Sequence, residues 1–152
     1  MKPYVSALQR RGLDARAIDL PRPNAERAVP VFAQKVPAGS IAGGHSYGGR
    51  VASMTAVQVR YAALILLSYP LHRPGHPEDL RTEHWPKITC PVLLLSGDRD
   101  PFAKIDLLRA SVKRFKTAEL VVYPGVGHGL LSVADAAMER VAAFVRASPA
   151  TR

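Results

Sequence analysis

The sequence predicts an α/β fold, a three-layer α/β/α arrangement around a mainly parallel sheet of about five strands. One reason is that short apolar runs alternate with amphipathic stretches long enough to serve as crossover helices. A second is that the runs 62–69 and 91–96 are continuously apolar, as strands buried on both faces are. The 152 residues also contain no repeat or linker, which predicts one domain over 1–147 and a loose tail at 148–152.

The N-terminal third predicts a helix, a strand and a second helix. Residues 3–11 predict the first helix, with a proline in its first turn and a glycine just past its end. The alternation of apolar and polar residues over 13–20 predicts a strand. Residues 24–35 predict a helix that begins at an Asn N-cap, and Pro30 within it predicts a bend or a break.

The rest of the chain continues the alternation of strands and helices. The last predicted helix has Ser132 as its expected N-cap. Between the two continuously apolar strands lies a long connection rich in proline and histidine. Besides those strands, the predicted elements are a strand at 39–45, helices at 47–60 and about 103–115, a strand at 119–123 and a helix at 132–147.

The chain is basic, with 21 Lys and Arg against 12 Asp and Glu and a net charge of +9. Such a charge can attract nucleic acid, an anionic membrane or an acidic substrate. The basic residues occur singly or in pairs, without a run of five or more. This pattern favours a solvated basic surface over a dedicated nucleic-acid site.

The cysteine count and the N-terminus bear on the compartment. Cys90 is the only cysteine, which excludes an internal disulfide and a thiolate metal cluster. The first residues have no apolar stretch or small-residue cleavage site of a secretory signal, and no apolar run approaches the length of a membrane span. These features predict a cytoplasmic protein that does not interact with membranes.

A glycine-rich turn between a predicted strand and a predicted helix carries the pattern Gly-x-Ser-x-Gly, in GHSYG at 44–48. A nucleophilic serine has to sit on such a sharp turn so that its hydroxyl stands at the top of the sheet, and the glycines remove side chains that would collide there. The backbone N–H of Tyr47, at the start of the helix, is placed to donate to an oxyanion. The motif predicts Ser46 as a nucleophile.

A serine hydroxyl needs a base, and the base needs an acid that fixes its tautomer. His128 lies in a glycine-rich loop after the last predicted strand, and Asp98 and Asp100 both follow the strand at 91–96. The chain order is Ser, Asp, His, and each candidate follows its own parallel strand, at the edge where open α/β sheets bind ligands. This arrangement predicts a catalytic triad.

Each motif also has a purely structural interpretation. The glycine-rich turn could be an ordinary or a phosphate-binding turn, although it lacks the Lys-Ser/Thr of a P-loop and fits the dinucleotide fingerprint poorly. Asp100 could cap the next helix, and His128 could be a surface residue. The joint occurrence of order, context and sheet edge favours the triad. His72 and His76 are four residues apart, but their segment contains two prolines and a glycine, so we predict no helical metal site there.

The whole chain resembles the C-terminal three-quarters of an α/β-hydrolase. The resemblance rests on GGHSYGGRVA as the nucleophile elbow, PVLLLSGDRDPF as the acid loop and VVYPGVGHGL as the histidine loop. The connection SYPLHRPGHPEDLRTEHWPKI is similar to that of the dienelactone-hydrolase-like branch, which also contains the hydrolase-like subunit of a histone acetyltransferase complex. The resemblance implies Asp100 as the acid, with Asp98 as the alternative. It also implies an esterase-type hydrolase without a metal or organic cofactor.

The resembled fold begins with about three further strands, which would precede Met1, so an α/β-hydrolase fold that lacks its first strands is expected, as a fragment or as a natural short form. The loop that normally gives the second oxyanion N–H would then be missing, and the loss of one donor costs about 10²–10³ in rate. In addition, residues 13–20 must pair directly with 39–45 or leave a gap, and we expect direct pairing. Either arrangement exposes a sheet edge that invites a homodimer or a partner protein.

The sequence therefore predicts a serine hydrolase that cleaves an ester or similar acyl bond of a small substrate through an acyl-Ser46 intermediate. The short connection before the acid loop leaves no room for a large lid, which predicts an open site. The rival hypothesis is a binding module for a protein partner that keeps the triad but lacks part of the oxyanion hole. The residues expected to contact substrate are His45, Tyr47, Pro70, Leu71 and His72.

Overall fold

The computed structural model describes residues 1–148, so most of the predicted tail at 148–152 lies outside the described residues. Four strands form a parallel sheet in the order β1-β2-β3-β4. The strands are β1 Ile41–His45, β2 Ala63–Leu67, β3 Val92–Gly97 and β4 Ala118–Tyr123; the helices are α1 Lys2–Arg10, α2 Ala25–Lys35, α3 Tyr47–Thr55, α4 Ile105–Ser111 and α5 Ala134–Ala147.

Both faces of the sheet are covered, because successive strand residues point to opposite sides. Leu64, Leu66 and Leu94 belong to a core that also contains buried residues of α2, α3 and α4. Leu67 and Leu95 belong to a second core, shared with buried residues of α1 and α5. The predicted three-layer α/β/α architecture is confirmed, with four strands where about five were predicted.

Pro30 does not break helix α2, so the predicted break is wrong. The helix runs without interruption from Ala25 to Lys35, and the Asn24 side chain accepts a hydrogen bond from the N–H of Arg27 at 3.0 Å, as the predicted N-cap should. Pro30 lies on the exposed side of the helix. Water can therefore satisfy the carbonyl that loses its partner, which lowers the cost of a proline there.

Two helix ends also differ from the sequence prediction. Helix α3 ends at Thr55, five residues before the predicted end at 60. Helix α5 has Val133 as its N-cap, and Ser132, the predicted N-cap, lies inside a 3₁₀ turn that precedes the helix. The Val133 N–H is bonded to the Leu130 carbonyl at 3.0 Å, so the backbone of this turn satisfies a donor that a serine cap would otherwise serve.

Residues 13–20 form no strand, so the prediction that they pair with β1 is wrong. They lie outside the sheet, and side chains hold them there: Gln9 Nε2 donates to the Ala15 carbonyl at 2.9 Å and Lys35 Nζ to the Asp19 carbonyl at 3.0 Å. The physical reason is that alternation specifies which side chains are buried but does not supply a neighbouring strand. The structure instead has the other arrangement expected from the sequence, a gap between residues 13–20 and strand β1.

A cleft of about 640 Å³ lies between residues 12–16 and strand β1. Apolar side chains of α1 and α5, among them Tyr4 and Met138, form much of its wall. None of the three predicted triad residues lines it. This cleft is therefore distinct from the predicted catalytic centre.

Strand β1 is an edge strand whose free side faces this cleft. The N–H of Ser46, just past its end, donates to the Leu67 carbonyl of β2 at 2.8 Å. Because alternate residues of a parallel strand bond to the same neighbour, the backbone groups of Ile41 and Gly43 point away from β2. Within residues 1–148, no helix combines the length and the apolar character needed to cross a bilayer.

Candidate active site

Ser46 occupies the sharp turn between β1 and α3. Its backbone lies at φ 51° and ψ −117°, a conformation that a non-glycine residue adopts at a cost of about 1–3 kcal/mol. The turn closes tightly, since a Cβ on Gly44 would lie 2.4 Å from the carbonyl carbon of Gly48. Glycine at position 44 is therefore a requirement of this geometry, and the strained turn holds the Ser46 hydroxyl at the carboxyl edge of the sheet.

The three predicted triad residues form a continuous hydrogen-bond path. Ser46 Oγ lies 2.7 Å from His128 Nε2, and His128 Nδ1 lies 2.8 Å from Asp100 Oδ2. An ionised carboxylate only accepts, so Nδ1 carries the proton and Nε2 is left to accept from the serine hydroxyl. The Asp100 side chain is 0% exposed and that of His128 is 27% exposed, so the acid is buried and the base is accessible.

The two candidate acids make different contacts. Asp100 binds His128 with one carboxylate oxygen and accepts the N–H of Phe102 at 2.8 Å with the other. Asp98 accepts the N–H of Gly125 at 2.8 Å instead. Helix α4 begins only at Ile105, so Asp100 does not cap it. Of the two, Asp100 is the residue that the fold brings to His128, and Asp98 holds the turn before the histidine loop.

The acid loop and the histidine loop meet through main-chain contacts. A Cβ on Gly97, the last residue of β3, would lie 2.1 Å from the Val126 carbonyl oxygen, a distance that real Cβ atoms do not reach. The Arg99 N–H donates to that same carbonyl at 2.9 Å. The absence of a side chain at Gly97 thus lets the two loops approach closely enough for Asp100 and His128 to bond.

Two aromatic rings lie beside His128. The Phe102 ring centroid lies 4.4 Å from that of His128, and the His45 ring lies 5.6 Å from it on another side. His45 stacks on Tyr4 of α1 at 5.5 Å, and the Tyr4 hydroxyl accepts the N–H of Leu130 at 3.0 Å. Burial, followed by the nearby His128, lowers the pKa of His45. The neutral form of His45 is therefore favoured beside the base.

Sequence reasoning missed two of these neighbours. Phe102 had a usable signal, because it follows Asp100 by two residues in the acid loop. Tyr4 had none, since its hydrogen-bond partner Leu130 is 126 residues away. Contacts of that separation follow from the packing of α1 against the sheet and not from any local pattern.

The residues predicted to contact substrate fall into two groups. His45 and Tyr47 are partly exposed beside Ser46. The Tyr47 hydroxyl, however, donates to the Pro21 carbonyl at 2.5 Å and is therefore engaged away from Ser46. Pro70, Leu71 and His72 are buried, with Leu71 0% and His72 3% exposed. These three present almost no surface, so their placement does not support the predicted contact with substrate.

The Alpha/beta hydrolase domain family matches residues 9–148 of this chain. An esterase from Exiguobacterium antarcticum, EaEST, has a similar structure, with a TM-score of 0.75 and 13% identity over 95% of this chain and 87% of that one. Est1E from Butyrivibrio proteoclasticus, in a structure with ferulic acid bound, has a TM-score of 0.65 and 20% identity over 82% of this chain and 68% of that one. At these identities the two structures show a shared fold.

A curated relative matches part of the sequence more strongly. The non-heme chloroperoxidase of Burkholderia pyrrocinia is 39% identical over 72 residues, which are 46% of this chain. The match spans about a quarter of that protein, 26% of its length.

Proposed function

This chain belongs to the alpha/beta hydrolase family, and on that premise we propose that it is a serine hydrolase that cleaves an ester or related acyl bond of a small substrate. The observation on which the proposal rests is the hydrogen-bond path from Ser46 through His128 to the buried Asp100. Nucleophile, base and acid stand in the order and contact that acyl transfer needs.

In the first half of the proposed reaction, Ser46 Oγ attacks the acyl carbon while His128 Nε2 takes the hydroxyl proton. The carbonyl electron pair moves to its oxygen and forms a tetrahedral oxyanion. When it returns, the bond to the leaving oxygen breaks and the imidazolium donates its proton to that oxygen, which releases the alcohol and leaves acyl-Ser46. Asp100 stays ionised and stabilises the imidazolium through Nδ1–H.

In the second half, a water molecule replaces the alcohol. His128 Nε2 removes a proton from the water as the water oxygen attacks the acyl carbon and forms a second tetrahedral oxyanion. When its electron pair returns, the bond from the acyl carbon to Ser46 Oγ breaks and the imidazolium donates its proton to Oγ. The products are a carboxylic acid and free enzyme. The partial exposure of His128 suits this step, because water has to reach its Nε2.

The oxyanion is expected to accept the N–H of Tyr47, which is the first residue of α3 and lies where the helix dipole favours negative charge. We further propose that Tyr47 is the single backbone donor of this site, which would make it a slow hydrolase, about 10²–10³-fold below an enzyme with two donors.

A small substrate fits the way in which the connection between β2 and β3 is packed. Tyr69, Leu71 and Trp85 of this connection are at most 1% exposed and belong to the core. A segment anchored in this way cannot serve as a large mobile lid. Within the family, we place the chain in the dienelactone-hydrolase-like branch on the motifs of this same connection, and this finer assignment stays a prediction.

The test is covalent labelling with a fluorophosphonate probe, read by mass spectrometry. We expect the probe mass on the peptide that contains Ser46 in the wild-type protein, and no label in Ser46→Ala or His128→Ala. A matched control exists in Ser53, a fully buried serine whose Oγ also contacts a histidine, His84 Nε2 at 2.8 Å. Ser53→Ala should label like the wild type.

Two results would overturn the proposal. One is a folded wild-type protein that takes up no probe, which would favour the binding-module hypothesis. The other is labelling that persists in Ser46→Ala. If labelling behaves as expected, hydrolysis of short-chain aryl esters follows as the turnover assay.

A further inference from the structure

His72 lies at the start of the connection that follows β2, and its imidazole is fully bonded. The side chain is buried, with the residue 3% exposed. Nδ1 lies 2.8 Å from the Arg73 carbonyl oxygen, and the N–H of Lys104 donates to Nε2 at 3.0 Å. A carbonyl only accepts and an N–H only donates, so the ring is neutral with its proton on Nδ1. No nitrogen remains free to bind a substrate.

The segment that His72 contacts is the acid loop. Besides the bond from Lys104, the backbone N–H of His72 donates to the Phe102 carbonyl at 3.0 Å. His72 is thus attached to this loop at two points, two residues apart. Both points lie within four residues of Asp100, and 32 residues separate His72 from Lys104 along the chain.

Phe102 connects this attachment to the triad. Its N–H donates to Asp100 Oδ1 at 2.8 Å, and its ring lies 4.4 Å from the His128 ring. The same residue therefore orients the carboxylate and contacts the base. If the peptide of Phe102 shifts, the angle at which Asp100 Oδ2 meets His128 Nδ1 changes with it.

We propose that His72 is a positioning residue of the active site: its neutral imidazole anchors the acid loop and thereby keeps Asp100 aligned with His128. The kinetic consequences of this role rest on the serine-hydrolase function proposed above. The structural consequence, a fixed hydrogen bond from His128 to Asp100, does not depend on turnover. His72 reaches none of the reacting atoms and acts only through the loop.

The experiment compares three substitutions that remove different parts of the imidazole. His72→Leu fills the space without polar atoms. His72→Asn keeps a donor near Nδ1 for the Arg73 carbonyl, and His72→Gln places an amide oxygen near Nε2 for the Lys104 N–H. His76→Leu is the matched control, because His76 is exposed in the same connection and its ring Nδ1 lies 3.3 Å from the surface carboxylate of Glu78.

We expect His72→Leu and His72→Asn to lower kcat by about 10–10²-fold, since small misplacements of a catalytic group cost up to this much, and to leave KM within about twofold. His72→Gln should recover most of kcat, and His76→Leu should match the wild type. Equal kcat in folded His72→Leu and wild-type protein would overturn the proposal. So would equal recovery by Asn and Gln, because the Lys104 bond would then be irrelevant.

A second measurement keeps the two proposals separable. The His128 Nδ1–H proton should give a resonance downfield of the amide region in the proton NMR spectrum, assigned by its loss in His128→Ala. We expect this line to broaden through exchange with water in His72→Leu and to sharpen again in His72→Gln. If the wild-type protein neither labels nor turns over, the hydrolase proposal fails, and this line still decides the role of His72: an unchanged line in His72→Leu overturns it.

Discussion

Two serines of this chain contact a histidine at nearly the same distance, and only one contact has the features of an active site. Ser46 Oγ lies 2.7 Å from His128 Nε2, and Ser53 Oγ lies 2.8 Å from His84 Nε2. Ser46 stands on a strained turn at the carboxyl edge of the sheet. Ser53 lies within helix α3 Tyr47–Thr55 and is 0% exposed.

The two contacts differ more clearly in what the other ring nitrogen of each histidine binds than in the serine–histidine distance. His128 donates its other proton to Asp100, and its side chain is 27% exposed. For His84, no bond from the other ring nitrogen is found among the described residues, and burial lowers its pKa to about 4. Ser53 Oγ also lies 2.8 Å from the Arg50 carbonyl within its own helix. A serine–histidine contact therefore indicates nucleophilic chemistry only together with an acid, access for a substrate and a position at the sheet edge.

The largest expected effect comes from removing the carboxylate of Asp100, which bonds the histidine of the Ser46–His128 pair. Asp100→Asn keeps the shape but donates where the carboxylate accepted, so His128 adopts the wrong tautomer. We expect kcat to fall by about 10⁴-fold, with the fold retained. The fluorophosphonate labelling rate measures the loss of activity, and near-ultraviolet circular dichroism shows whether the fold is retained. Asp98→Asn is the control and should lose less than about tenfold; the opposite ranking would make Asp98 the acid.

The next effect comes from separating the two loops without touching any triad residue. A methyl group in Gly97→Ala meets the Val126 carbonyl oxygen at 2.1 Å, so the loops have to move apart. We expect a labelling rate lower by about 10²-fold together with reduced stability. Gly127→Ala is the control, because a Cβ there meets nothing within 4 Å. A labelling rate in folded Gly97→Ala equal to that of the control would contradict the importance of this contact.

A smaller effect is the pH dependence of folding stability that His84, in the Ser53–His84 pair, is expected to cause. Burial lowers the pKa of His84 to about 4, below its usual value of 6.5, so the folded state resists a proton that the unfolded chain accepts. Stability is therefore lost as the pH falls from about 6.5 towards 4. Allowing for screening of this partly exposed ring, we expect a loss of about 1–2 kcal/mol, near tenfold in the unfolding equilibrium.

Urea unfolding at neutral pH and at mildly acidic pH measures this loss, with His84→Gln as the comparison. The variant should lose less stability on acidification than the wild type by roughly 1 kcal/mol. His76→Gln, in which an exposed histidine is replaced, should follow the wild type. Identical pH dependence in His84→Gln and the wild type would show that the ring titrates as it does in water.

The smallest expected effect is that of Ser53→Ala on catalysis. Its hydroxyl has no path to a substrate, so we expect kcat and KM to stay within about twofold of the wild type. Stability should fall by about 1 kcal/mol, because His84 Nε2 loses a buried partner. A loss of labelling in folded Ser53→Ala would mean that the two pairs are coupled through helix α3.

The grouping of Ser46, His128 and Asp100 in one hydrogen-bond path could be predicted from the sequence, because each of these residues lies in a short motif at the end of a strand. Their role as a catalytic triad stays a prediction. Ser46 depends on a turn whose glycines lie within two residues of it in the sequence. The order of the strands brings Asp100 and His128 to the same carboxyl edge of the sheet. The strand predicted for residues 13–20 is wrong for the opposite reason, since a strand needs a neighbouring strand that a local pattern does not specify. His72 was expected at the substrate, but its contact with Lys104 depends on how two distant loops pack.

Gly97 has a consequence for how far such a sequence can diverge. The atom that excludes a side chain at this position is a main-chain oxygen, and every residue at position 126 has one. The contact that sets the spacing of the two loops is therefore made by main-chain atoms of residue 126, and the Arg99 N–H bonds the same oxygen. A substitution at a neighbouring position that keeps the backbone path leaves this main-chain contact in place, whereas any side chain at position 97 collides with it.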